Sequence, residues 1–180
     1  FYQASKKFGL DWKLLASIGY QESKWNDKAV SYTGVRGIMM LTNDTATELG
    51  VSNRIDPKQS IYGGAEYLDK LLKRLPLDID EDEKIWFAVA GYNIGMGHVF
   101  DAMDLAAKDG IEVSKWIHLE PYILRLSQSK FYKKTKYGYA RGWETAKYIQ
   151  NIRQYYDILV FLDSQDNNKT TEESGIPKSL

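Results

Sequence analysis

The chain has 180 residues, 43% apolar and 27% charged, which is the profile of one globular domain and excludes a fibrous or wholly disordered chain. Lys+Arg and Asp+Glu both number 24, and this zero net charge argues against a nucleic-acid binder or a polybasic membrane-surface module. There is no cysteine, which excludes a disulfide framework, a thiol nucleophile and Cys-ligated zinc, while His98 and His118 lie too far apart in sequence for a His-rich metal site.

The apolar periodicity is helical nearly throughout, so the expected fold class is all-α. Residues 1–10 mix Gln3, Lys6 and Lys7 with aromatics, unlike a signal peptide, and the first residue is not Met, so a longer parent chain is expected. No apolar run approaches the ~18–20 residues of a membrane span. Asp11 is placed to cap a helix that runs to about Glu22, with Leu14, Leu15 and Ile18 as its apolar stripe. Thr42-Asn43-Asp44 opens a short helix closed by Gly50, and Asp56-Pro57 starts a longer one that ends before Pro76. The acidic run 78–83 leads into Ile85-Trp86-Phe87-Ala88-Val89-Ala90, a buried helix that stops near Asn93 and Gly95. Further helices are expected over about 97–108 and 122–127. A last long helix runs from about Glu144 to Leu162. Beyond it the composition turns polar, which predicts a domain over 1–162 and a disordered tail over 163–180.

Aromatic residues are in surplus, with 13 Tyr, 5 Trp and 6 Phe, and stacking surfaces for a flat or cyclic ligand are one use for them. Glu22 is the residue out of place. It continues the Leu15–Ile18 face and falls in the last turn of its helix, where the negative end of the dipole disfavours a carboxylate. Burial and the dipole both favour the protonated form, which is how a carboxylic acid stays available as a proton donor near neutral pH. Spacing alone leaves open that Glu22 rims the helix end in water.

The neighbouring motifs add to this. Glu22-Ser23-Lys24-Trp25-Asn26 is followed by Ser31-Tyr32-Thr33-Gly34-Val35-Arg36-Gly37-Ile38-Met39-Met40-Leu41-Thr42, then by Gly64-Ala65-x-Tyr67-Leu68, Ala90-Gly91-Tyr92-Asn93-x-Gly95 and Glu144-Thr145-x-x-Tyr148-Ile149. This ordered set resembles the catalytic domain of the soluble-type lytic transglycosylases, whose fold is like that of goose-type lysozyme. Two departures stand out. The family's Gly-Leu-Met-Gln reads Gly37-Ile38-Met39-Met40 here, removing an amide that bonds substrate, and the usual proline after it is replaced by Asn43 and Asp44. This version is most similar to the membrane-bound F subgroup, whose members carry the domain behind a solute-binding-like domain.

The resemblance implies a lyase that cleaves peptidoglycan glycan strands without water and without a cofactor or metal. Its parent would be periplasmic and attached to the outer membrane, and its ligands glycan strands and muropeptides. Glu22 would be the catalytic acid and then base. Asp27, Asp44 and Asp56 are the candidates for a second carboxylate, but the latter two are explained by helix starts and Asp27 reads as a solvated loop residue. The resemblance places Ser31, Met39, Met40, Tyr92, Asn93 and Glu144 in substrate binding and Tyr148 against the catalytic acid. Most have a plainer counterpart: a turn residue for Ser31, core packing for Met39 and Tyr148, packing for Tyr92 and Asn93, a helix-start carboxylate for Glu144. A hydrolytic lysozyme of the same fold and a silent peptidoglycan-binding module are the competing readings. The stretch 130–141, with five basic residues among Phe131, Tyr132, Tyr137 and Tyr139, has no assigned role.

Overall fold

Side chains that satisfy free backbone N–H groups set the helix starts. The computed structural model describes residues 1–174, with side chains through Gln165. The carboxylate of Asp11 accepts from the N–H of Lys13 at 2.8 Å and opens α2 (Trp12–Ser23), behind a short α1 (Tyr2–Phe8) that sequence periodicity did not reveal. Thr42 caps α3 (Asn43–Glu48) through the N–H of Thr45, and Asp56 caps α4 (Pro57–Leu72) through that of Gln59. α5 (Lys84–Ile94) ends at Gly95, whose φ of 91° suits a residue without a Cβ, and α6 (Met96–Lys108) follows at once. α7 (Trp116–Arg125), α8 (Ser129–Tyr132) and α9 (Gly142–Ser174) complete the chain. The described residues hold no strand, only isolated bridges pairing Arg36 with Val30 and Leu41, so the all-α expectation stands.

The run Phe87-Ala88-Val89-Ala90 is apolar on every side because α5 is the central helix, enclosed by α4, α6 and α9. Around it Leu15, Ile18, Leu68, Leu119, Ile149 and Ile152 are fully buried, each contributing about 1.5–3 kcal/mol relative to exposure. α2 and α9 pack antiparallel, with Glu22 beside Tyr148, Gln21 beside Asn151, Tyr20 beside Tyr155, and Lys13 paired with Asp163.

Two expected boundaries are corrected. α7 starts six residues earlier than the expected 122, with Pro121 inside it. Tertiary anchoring outweighs the lost backbone bond: the N–H of Trp116 donates to Glu83 at 2.9 Å, and its buried indole meets Phe87 edge-to-face. The last helix does not end at Leu162. Residues 163–174, expected as a disordered tail, continue α9, because extending an existing helix orders one residue per bond and nothing before Gly175 interrupts it. The rest of that expected tail, 175–180, lies outside the described residues.

Candidate active site

Glu22 occupies the last turn of α2, as its spacing indicated. Its carboxyl is enclosed enough that burial pushes its pKa from 4.5 up to about 7, while the hydrogen bond from Tyr148 pulls the other way. That bond, from the phenol of Tyr148 to Oε1 of Glu22, is 2.5 Å long. The residue keeps partial solvent access, so its acid group is both desolvated and reachable. Tyr148 itself is buried on α9, and burial, then the charge of Glu22, raise its phenol well above 10. It therefore stays a donor at any working pH. Among the described residues no Lys, Arg or His pairs with Glu22.

Beside this pair lies the folded loop 30–41. Ser23 reaches the carbonyls of Gly19 and Ile38 at 3.1 and 2.9 Å, tying the loop to the end of α2. The N–H of Met39 donates to the buried hydroxyl of Ser60 on α4 at 3.1 Å, and Tyr92 of α5 donates to the Met39 carbonyl at 2.8 Å. Arg54 bonds the carbonyls of Gly34 and Leu41 at 3.0 and 2.8 Å. At Gly37, with φ 79°, a Cβ would come within 1.8 Å of the Arg54 carbonyl oxygen, so only glycine fits. Three helices and one arginine thus fix a loop without regular structure of its own.

The expected site residues divide accordingly. The Met39 side chain is fully buried against Gly64, where a Cβ would meet it at 2.7 Å. Met39 therefore belongs to the core and does not line a groove, which corrects the sequence expectation. Met40 is half-buried with φ 48°, at the turn where the loop reverses. Ser31 holds that loop's other turn, its hydroxyl accepting from the N–H of Val35 at 3.2 Å and bonding Thr33. Tyr92 is half-buried and lies edge-to-face on Tyr67 at 5.2 Å. Burial first, and then the charge of Glu22, raise its phenol well above 10.

Asn93 is exposed at the end of α5, its Oδ1 accepting from the buried hydroxyl of Thr145 at 2.8 Å. Glu144, in the first turn of α9, pairs with Arg141 at 2.8 Å. Asn93, Glu144 and Thr145 share a cavity of about 360 Å³ with His98, Tyr139 and Arg141. Of the candidate second carboxylates, Asp56 is the cap of α4 and Asp44 an exposed first-turn residue of α3. Sequence reading missed Ser60, Arg54 and Thr145 as supports. Tyr67 was visible only as part of a motif, because its partner Tyr92 lies on another helix.

The Transglycosylase SLT domain model matches residues 1–114. The chain belongs to the SLT domain family. Tyr148 and Glu144 fall beyond that match, but similarity to whole proteins reaches them. The SLT chain is 55% identical over 159 residues to "Membrane-bound lytic murein transglycosylase F 1" of Alkalilimnicola ehrlichii, covering 88% of the chain and 32% of that relative. It is 53% identical over 162 residues to "Membrane-bound lytic murein transglycosylase F" of Hahella chejuensis, covering 90% and 32%. This SLT domain thus spans about a third of the length of these relatives. Its fold matches an inactive mutant of lytic transglycosylase Slt from Pseudomonas aeruginosa with TM-score 0.62 at 21% identity, over 87% of this chain and 22% of that one.

Proposed function

We propose that the chain is the catalytic domain of a peptidoglycan lytic transglycosylase, cleaving the β-1,4 bond between N-acetylmuramic acid and N-acetylglucosamine without water. The observation that carries this reading is a single carboxyl, Glu22, with a pKa near 7 and held by Tyr148. At neutral pH the acid and base forms of such a group are similarly populated, which suits one residue serving in both roles. The neutral acid gives its proton to the glycosidic oxygen as the C1–O bond breaks, releasing the N-acetylglucosamine 4-hydroxyl. The 2-acetamido carbonyl oxygen covers the electron-poor C1 in place of a second carboxylate. Glu22, now a carboxylate, takes the proton of the muramoyl 6-hydroxyl as O6 bonds to C1, and the 1,6-anhydro ring closes with Glu22 reprotonated. Ser31, Met40, Tyr92, Asn93 and Glu144 would form the substrate-binding surface around it. The names of the relatives support this reading.

Residues 1–162 would form the catalytic unit of a periplasmic parent anchored at the outer membrane, with a solute-binding-like domain upstream. The relatives' printed names, which say membrane-bound, and their greater length support a longer, membrane-attached parent. No helix among the described residues is long and apolar enough to cross a membrane. Mass spectrometry of muropeptides from digested sacculi tests the reaction: anhydro-ended products are expected, and reducing-ended products would assign a hydrolytic lysozyme instead. Glu22→Gln should bind glycan strands and release nothing.

A further inference from the structure

We propose that Thr145 is a positioning residue that anchors the Asn93 amide with its oxygen turned inward, making this edge of the site a reader of an oxygen acceptor on the glycan. This rests on the functional reading above and deepens it. Thr145 is 1% exposed in the first turn of α9 and cannot itself touch a substrate. Its hydroxyl donates to Oδ1 of Asn93 at 2.8 Å, across the seam between α5 and α9. An amide whose oxygen is held in this way turns its NH₂ group to the opposite side. Asn93 is exposed, lines the cavity of about 360 Å³, and its NH₂ has no acceptor among the described residues.

The rest of that cavity suits an uncharged polar ligand. Arg141 is neutralised by Glu144 at 2.8 Å, the ring of His98 lies 4.0 Å from the buried carboxylate of Asp101, and Tyr139 offers a half-exposed ring. The group recognised is therefore an uncharged oxygen, a sugar hydroxyl or acetamido carbonyl, presented to a fixed N–H donor. Without the threonine hydroxyl the amide loses its anchor and is free to turn its oxygen outward, where it would face an acceptor with another acceptor. A site built around a hydrogen bond discriminates by leaving a group unpaired when the partner is wrong.

The test uses Glu22→Gln protein, so that binding is read without cleavage, and soluble uncrosslinked glycan strands as the probe. Thr145→Val preserves the branched shape and removes the hydroxyl, as donor and as acceptor. It is expected to weaken the Kd for strands about tenfold, with Thr145→Ser restoring it and Asn93→Asp failing to bind as well as Asn93 does. The deciding measurement is a double-mutant cycle: in an Asn93→Ala background, Thr145→Val should cost nothing further. An equal loss in both backgrounds would mean that Thr145 only supports the fold, and would overturn the proposal, as would unchanged binding by Thr145→Val. Strands that bind no variant overturn it together with the functional reading. Strands that bind as expected but are cleaved by the unsubstituted chain to reducing ends overturn the transglycosylase reading alone.

Discussion

At the scale of single residues, two effects on Glu22 oppose each other and burial wins. Removing a carboxylate from water favours its neutral form, whereas the Tyr148 phenol at 2.5 Å favours the charged one, and the balance lies at about 7. Tyr148→Phe removes only the lowering influence, so the Glu22 pKa should climb further. The alkaline limb of the pH profile of kcat/KM is then expected to move to higher pH, while kcat falls about tenfold or more as the acid loses its orientation. A limb that stays in place, or moves to lower pH, would show that the phenol does not hold the acid. The place of Glu22 on an apolar stripe indicated an upward shift but left a solvated helix-end carboxylate open as well; its burial in the fold decides between them. Its partner was readable only as a family motif, because 126 positions separate the two residues.

At the scale of elements, the site depends on a loop held from outside. Loop 30–41 has two isolated bridges, and its bonds to Ser23, Ser60, Tyr92 and Arg54 come from α2, α4, α5 and the segment before α4. Gly64 shows how α4 takes part: its missing side chain is the space that Met39 fills. Gly64→Ala should destabilise the domain by about 1–3 kcal/mol through overpacking. Adding Met39→Ala should give back part of that loss, so that the double variant is more stable than the sum of the single effects indicates. Urea unfolding of the four proteins measures this, and strictly additive losses would place Met39 and Gly64 in separate environments. The sequence reading assigned Met39 to the substrate surface. A methionine in such a loop fits a core or a groove equally well until the glycine opposite it is located.

At the scale of the whole molecule, a buried carboxyl without a cationic partner is a liability for folding. In the unfolded chain the Glu22 carboxyl has its ordinary pKa of 4.5, and in the folded one about 7, so between these values the folded state binds more protons. Stability therefore falls as pH rises through that window, and the full penalty is present above it. At ~1.4 kcal/mol per pKa unit the penalty is at most about 3.5 kcal/mol, less the relief from the residue's partial exposure. Glu22→Gln has no such titration. Its Tm should exceed that of the unsubstituted chain at pH 8 and match it near pH 4, measured by calorimetry. Equal Tm differences at both pH values would mean that Glu22 is not desolvated in the folded protein.

Length, composition and local pattern were enough to determine an all-helical domain, the caps at Asp11, Thr42 and Asp56, and the anomaly at Glu22, because these depend on neighbours within a turn or two of helix. Helix ends that rest on distant contacts were not determined this way. Glu83 and Phe87 hold the first turns of α7 despite Pro121, and α9 runs on to Ser174 through a segment with no apolar signal. Only the tertiary structure decided which motif residues serve the core and which face the site. Met39 and Tyr148 are both buried, yet one fills the hollow at Gly64 and the other reaches the acid. The difference is set by what packs opposite each residue, and local sequence does not encode that.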